Sequence, residues 1–476
     1  MKRGWLAVGL ILGLLLVALG FAAERSRFAA AFRERLTRRT VPQREFPSGD
    51  AVRILTELGR LHPLPPPLAG GAPENGRSRL ALEPPAGEEL ASLLALDPAW
   101  LAREGAVLAA ILVQPEDLAR LNQHPFERGD AWEVPAFAAL VRDHHIEYAS
   151  RVGLRLHGGW VREYPELVSY RLYARRRDGA RPFPRSLLPG YEGPPLARLI
   201  VRFDGDRDRY DREWHFTGPL AYDIARRSGV AAPVTQPVVL FVNGQFFGVR
   251  ALTPHLSTRY FRDLLGHGHF VLVDTKASET PVQHGEAALF TELNQRFRGL
   301  PRLTEELVGR EVDLDNLVRW QLAALFCATE DRLQGPLWRD LEDPQGRWSW
   351  MAWDMDQSFG RSYKPGITFS ELPFPADYGS RPDLRNFLFA RLLDDDPAFR
   401  DRVTRLFDEV MNHRLTDAFL AERTAWYLRW AEIYGLSEGA KERLRAVRDE
   451  AGARKALLAR EFARRHGLKL ELSPEE

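Results

Sequence analysis

The chain has 476 residues, enough for two or three domains, and sets 66 basic side chains against 65 acidic ones for a net charge of +1. So even a balance supplies no global positive field, which argues against nucleic acid as a partner. A single cysteine, Cys327, excludes an intramolecular disulfide and any multi-cysteine zinc site.

Lys2 and Arg3 precede residues 4–23, an uncharged apolar stretch. At about 1.5 Å of helical rise per residue this stretch is just long enough for a bilayer core of about 30 Å. Secretory cores are shorter, so the expectation is an uncleaved signal anchor at 1–24. A single-pass membrane protein with an extracytoplasmic body follows, Lys2 and Arg3 remaining inside. Arg25, Arg27, Arg33 and Arg35 oppose that orientation. A small-x-small pair at Gly20 and Ala22 offers a cleavage site, and cleavage would give a secreted protein. Residues 25–97 read as a stalk and a Pro/Gly-rich linker, with Phe28, Ala31, Phe32 and Leu36 on one helical face near its start.

From residue 98 to 256 the pattern is β-rich. The run 107–113 is continuously apolar, and short strands are predicted near 132–137, 153–156, 168–175 and 199–203. Strands 238–242 and 247–252 flank Asn243-Gly244, a strong hairpin signal. One helix, 220–228, stops at Gly229. The Pro/Gly-rich insertion 178–195 is expected to be a loop over a cleft. Residues 257–468 are predicted to be mostly helical, with segments at 258–265, 286–297, 314–328, 385–393, 398–412, 415–434 and 437–465. A tail, 469–476, follows.

The run 347–360 carries the chemistry. Trp348, Trp350 and Ala352 alternate with Ser349, Met351 and Trp353 as in a strand, which then delivers Asp354 and Asp356. Carboxylates placed among aromatic residues are costly without a cation or a dense set of donors. A divalent metal is one answer, because Mg²⁺ takes one or two protein carboxylates and completes its shell with phosphate oxygens. A turn cap and an ion pair with arginine is the other. A third acid, Asp331, follows the apolar helix 314–328. It can orient an acceptor hydroxyl, or simply pair with Arg332 or Arg339.

These segments resemble the spore coat protein H-like (CotH) kinases. Trp353-Asp354-Met355-Asp356 with Ser358-Phe359-Gly360 is similar to that family's metal motif, and 312–318 to the start of its preceding helix. Gly153 to Gly159 with Ser169 to Tyr173 is similar to its first hairpin, and 238–248 to its Asn-Gly turn. The resemblance spans roughly 98–468. It implies a two-lobed, divergent protein-kinase-like α+β fold, with a β-rich N-terminal half and a helical C-terminal half behind the membrane helix. It also implies ATP with Mg²⁺ or Mn²⁺ as cofactors, phosphate transfer to a protein hydroxyl, Asp331 as the catalytic acid, and Asp354 and Asp356 as metal ligands.

This chain departs from the family at three places. Val168 stands where the family has a lysine, Gln334, Gly335 and Pro336 where it has an asparagine, and Thr253 and Pro254 where a glutamate is common. Gln334 is the candidate stand-in for the missing metal ligand. Arg155, Arg162 and Arg202 are candidate replacements for the phosphate-binding lysine, since a guanidinium offers phosphate a bidentate fork. Lys276 is a rival, and His157, Gly158 and Gly159 are candidates for close backbone approach to phosphate. Two further readings stay open: a catalytically inactive surface-binding or assembly module, and a hydrolase that uses the three acids.

Overall fold

The computed structural model describes residues 107–142, 145–159, 162, 167–175, 180–193, 195–203, 216–243, 245–274, 282–330, 335–360, 367–372, 383–434, 436 and 438–473. Seven strands form a closed barrel. They are β1 (Val107–Val113), β2 (Val134–Arg142), β3 (His145–His157), β4 (Ser169–Tyr173), β5 (Arg198–Arg202), β6 (Gln236–Val242) and β7 (Gln245–Pro254). Their order around the barrel is β1-β2-β3-β4-β5-β7-β6.

Closure explains the apolar run at 107–113. β1 lies between β2, antiparallel, and β6, parallel, so six of its seven residues are buried. Leu108 faces Val239 and Ile111 faces Val242 across the parallel seam. Just past the seam, the Asn243 side chain acts as a surrogate strand. It accepts from Val113 N at 2.9 Å and donates to Val113 O at 2.8 Å. Asn243 has φ +49°, as the predicted Asn-Gly hairpin requires of its first turn residue.

The expected two-lobed kinase-like fold is therefore corrected. The β-rich half is a closed barrel, and the second half is not purely helical. It contains a second sheet of order β11-β10-β8-β9, built from β8 (Phe270–Asp274), β9 (Val282–His284), β10 (Pro336–Asp340) and β11 (Ser349–Trp350). The predicted anchor at 4–23 lies outside the described residues. Among those described, no helix is long and apolar enough to cross a membrane.

The helices are α1 (Pro115–Gln123), α2 (Thr217–Arg227), α3 (Thr258–Leu265), α4 (Ala287–Gly299), α5 (Glu305–Gly309), α6 (Leu314–Phe326), α7 (Leu384–Asp395), α8 (Pro397–Asp408), α9 (Asp417–Ile433), α10 (Glu438–Asp449) and α11 (Ala451–His466). A π-helical turn, Glu409–Arg414, continues α8. Side-chain caps define several starts. Asp313 accepts from Asn316 N, Asp383 from Asn386 N, and Thr416 from Phe419 N. α6 is the central helix, with Leu317, Trp320, Leu322, Leu325 and Phe326 all buried. The insertion expected over a cleft packs on the barrel instead. Phe183 is fully buried, bridges to Leu196 and lies against Tyr148 with ring centroids 4.5 Å apart.

Candidate functional site

The acidic turn is held in place from both sides. Upstream, Asn316 on α6 accepts from Trp350 N at 2.7 Å and donates to Trp350 O at 3.0 Å, so a side chain completes the short strand β11. Ala352 N then donates to Ala231 O at 2.8 Å, on the loop after α2. Gly335 has φ +119°, and a Cβ there would sit 2.3 Å from Met351 O, so glycine allows the start of β10 to lie directly against this segment.

Downstream, Phe359 N donates to Cys327 O at 2.6 Å and Glu330 N to Gln357 O at 2.9 Å. The hydroxyls of Thr329 and Ser358, both buried, are 2.8 Å apart. The end of α6 is thus tied to the stretch after Asp356, and the chain runs on from Glu330 directly into Asp331. Arg454 of α11, fully buried, donates to the carbonyls of Leu325, Phe326 and Leu372. Together with Ala328 N, which also donates to Leu325 O, it satisfies carbonyls in the last turn of α6.

Asp354 has φ +57°, an uncommon conformation for a non-glycine residue, and its N–H donates to the Tyr222 hydroxyl at 3.0 Å. Tyr222, on α2, stacks with Trp353, with ring centroids 6.2 Å apart at 15°. The two carboxylates meet at one cation. Arg202, the last residue of β5, donates to Asp354 Oδ1 and lies 3.2 Å from Asp356 Oδ2. Its guanidinium also covers the face of Trp353 at 5.2 Å. Burial pulls the Arg202 pKa down, but Asp354, Tyr222 and Asp356 outweigh it and hold the value well above the ordinary one.

Arg202 also stands beside the place of the family lysine. Phe203 N donates to Ser169 Oγ at 2.8 Å, and Val168, next to Ser169, is wholly buried. A cation on the neighbouring strand thus stands next to that place. Two carboxylates converging on one point suit a divalent ion whose remaining ligands are phosphate oxygens and water. Among the described residues no group of three or more His, Cys, Asp or Glu side chains gathers to hold a metal. Asp331 and Gln334 lie outside the described residues, as does Lys276.

The other candidates are placed as follows. Arg155 is engaged by acids: it donates to Glu133 Oε2 at 2.7 Å and to Asp130, and sits over Tyr173 at 4.6 Å. Arg162 is buried and donates to Pro125 O at 3.1 Å. His157 ends β3, where Gly158 turns the chain at φ +103°; Gly159 faces open space. Arg171 donates to His157 Nδ1 at 2.7 Å, which makes that nitrogen an acceptor. The His157 ring packs edge-on to Trp353 at 6.4 Å and to His255 at 6.2 Å. Burial, then the charge of Arg171, push the pKa of both imidazoles well below the usual value, so both are neutral. Sequence reading did not single out Tyr222, Arg171, His255 or Asn316. Arg171 lies within the first-hairpin segment, and alternation along β4 was the one available signal for it.

A search of curated proteins returned no match. The family model described as CotH kinase protein matches residues 154–429. That span holds β4 to β7, α6, the Arg202 cluster and the acidic turn, and it is more than half of the 476 residues; the chain belongs to the CotH kinase family.

Proposed function

We propose that this protein is a phosphotransferase that takes a nucleoside triphosphate with a divalent metal and phosphorylates a protein hydroxyl. Membership of the CotH kinase family supports the kinase-like class. The observation that carries the finer reading is the convergence of Asp354 and Asp356 on one cationic point, in the segment after β11 that carries the family motif.

Asp354 and Asp356 would hold the metal ion, which when bound neutralises charge on the phosphates. Gln334 would add a neutral oxygen ligand. Arg202 balances both carboxylates in the metal-free state, and its fork is matched to phosphate as well as to carboxylate. Displaced from the acids, it would be free to contact the donor's phosphates. Asp331, one residue past the Glu330–Gln357 tie, would orient the acceptor hydroxyl. Neutral His157 and His255 add no positive charge beside Arg171 and Arg202. Residues 4–23 would anchor the protein in a membrane with its body extracytoplasmic, a placement that protease protection in intact cells would check.

The test is thermal unfolding of the full chain with Mg²⁺ or Mn²⁺ and ATP, beside Asp354→Ala. Ligand at 100 times its dissociation constant adds about 2.7 kcal/mol. A metal-dependent ATP shift that vanishes in the variant supports the reading. No shift with any metal overturns it, and favours a non-catalytic binding module in which Arg202 closes the acids permanently.

A further inference from the structure

A second basic site includes Arg171, the partner of His157, and is lined by neither of the two aspartates. A cavity of about 70 Å³ opens between α1, the loop that follows it and the ends of β3 and β4. Its polar lining includes His124, Arg128, Trp132, Arg155, Arg162 and Arg171, and Leu121 and Leu156 form its apolar wall. The volume is several times the roughly 10–15 Å³ that a single water requires.

The charge in this cavity is not balanced from within. Arg155 is paired with Asp130 and Glu133, outside the lining's own charges. Among the described residues, Arg128, Arg162 and Arg171 form no ion pair, and the one carboxylate in the lining is Glu127. Arg162 is 5% exposed and its Nε has no hydrogen-bond partner; Arg171 Nε is likewise buried and without one. Burial, then the nearby Arg128 and Arg171, lower the Arg162 pKa to about 10, a sign of like charges crowded together. Three guanidinium groups with a single carboxylate among them leave an excess of positive charge that an anion in the cavity would balance.

We propose that this cavity binds a phosphate-sized oxyanion, with Arg128, Arg162 and Arg171 donating to it and Trp132 closing one side. The binding needs neither a metal nor Asp354, so it stands independently of the phosphotransfer reading. Two sources share this chemistry: a free phosphate ion and the phosphate of a nucleotide.

The experiment is calorimetric titration of the full chain with inorganic phosphate in metal-free, low-salt buffer at pH 7.5. Saturable one-to-one binding is expected. It should weaken at least tenfold in Arg171→Gln and in Arg128→Gln, because each loses a charge-assisted contact, and should be unchanged in Asp354→Asn. Arg128 is exposed, so its variant keeps the fold even if Arg171→Gln disturbs His157. No saturable binding, or affinity unchanged from the parent in both arginine variants, overturns the proposal. Titrating metal-free ATP against the phosphate-saturated protein separates the sources. Competition assigns the cavity to a nucleotide phosphate, and simultaneous binding assigns it to a free anion; both outcomes uphold the site.

Discussion

Replacing Arg202 with methionine removes the cation while keeping a side chain that can cover Trp353. Asp354 and Asp356 would then face each other across a site where their side chains are only 23% and 13% exposed. At the 3.2 Å separation of Arg202 and Asp356, the direct attraction is about 5 kcal/mol at an effective dielectric constant of about 20. Much of that is offset by desolvation in the intact protein. Deleting one partner of a buried pair costs about 3–5 kcal/mol, and the partial exposure of Asp354 places this case near 3 kcal/mol. With a urea slope of about 3 kcal/mol per molar, the unfolding midpoint at pH 7.5 falls by roughly 1 M.

The loss has a pH signature. Without Arg202 the two carboxylates repel as like charges, and uptake of one proton between them relieves the repulsion. The deficit is therefore full at neutral pH and shrinks as the pH falls toward 5, by up to about 1.4 kcal/mol for each unit by which a pKa is raised. Adding Mg²⁺ should narrow the gap further, and more in the variant than in the parent. Urea titrations at pH 7.5 and 5.0 measure all of this. A deficit under 1 kcal/mol that is the same at both values would refute the idea that Arg202 balances this pair. A pH-dependent deficit that Mg²⁺ leaves unchanged would instead refute metal binding by these acids.

Asn243→Ala should cost about 1–2 kcal/mol in urea unfolding, because it removes both hydrogen bonds to Val113 beside the barrel seam; Asn243→Gly keeps the turn but should recover only part of that loss. Asn316→Ala should cost about 2–3 kcal/mol and weaken ATP-dependent stabilisation as well, since it frees Trp350 just upstream of the acidic turn; normal nucleotide response with full destabilisation would uncouple the two. Glu133 is buried, which alone would raise its pKa, but its contacts with Arg175 and Arg155 lower it. Its contribution is present above pH 4.5 and lost as the pH falls through the lowered folded value, so Glu133→Gln should be less stable at pH 7 and show a flatter acid limb below pH 4.5. His157 and His255 stay neutral in the fold while the unfolded chain takes up protons below pH 6.5. Stability should fall from pH 6.5 toward 5 by up to about 1.4 kcal/mol per unit for each, and His255→Gln should reduce that slope.

Short-range signals were legible in the chain. Asn243-Gly244 marks a hairpin through its turn chemistry, and the apolar spacing over 314–328 marks α6. The alternation from Trp348 to Trp353 placed Asp354 and Asp356 at the end of an extended segment, although only Ser349–Trp350 pair as a strand, because Asn316 replaces a neighbouring strand there. What was not legible depends on partners far apart in sequence. Closure of the barrel rests on β1 meeting β6 in parallel, and the run 107–113 looks the same in an open sheet. Arg202 and Asp354 are 152 positions apart, so nothing local distinguishes Arg202 from the chain's other arginines. The insertion 178–195 reads as polar and turn-rich, yet Phe183, Leu187 and Leu188 bury it on the barrel, because a few apolar anchors outweigh its overall composition.

The contact of Arg454 with the end of α6 bears on when the protein becomes competent. Synthesis runs from the N-terminus, so the barrel strands, α6 and the acidic turn leave the ribosome before α11 does. Until residue 454 emerges, the carbonyls of Leu325, Phe326 and Leu372 lack the charged donor that joins them. The stretch leading to Asp331 is then untethered on that side. Fixing this end of α6 thus waits for α11, and a nascent or C-terminally clipped chain would lack one of the contacts that hold the segment leading to the acidic turn.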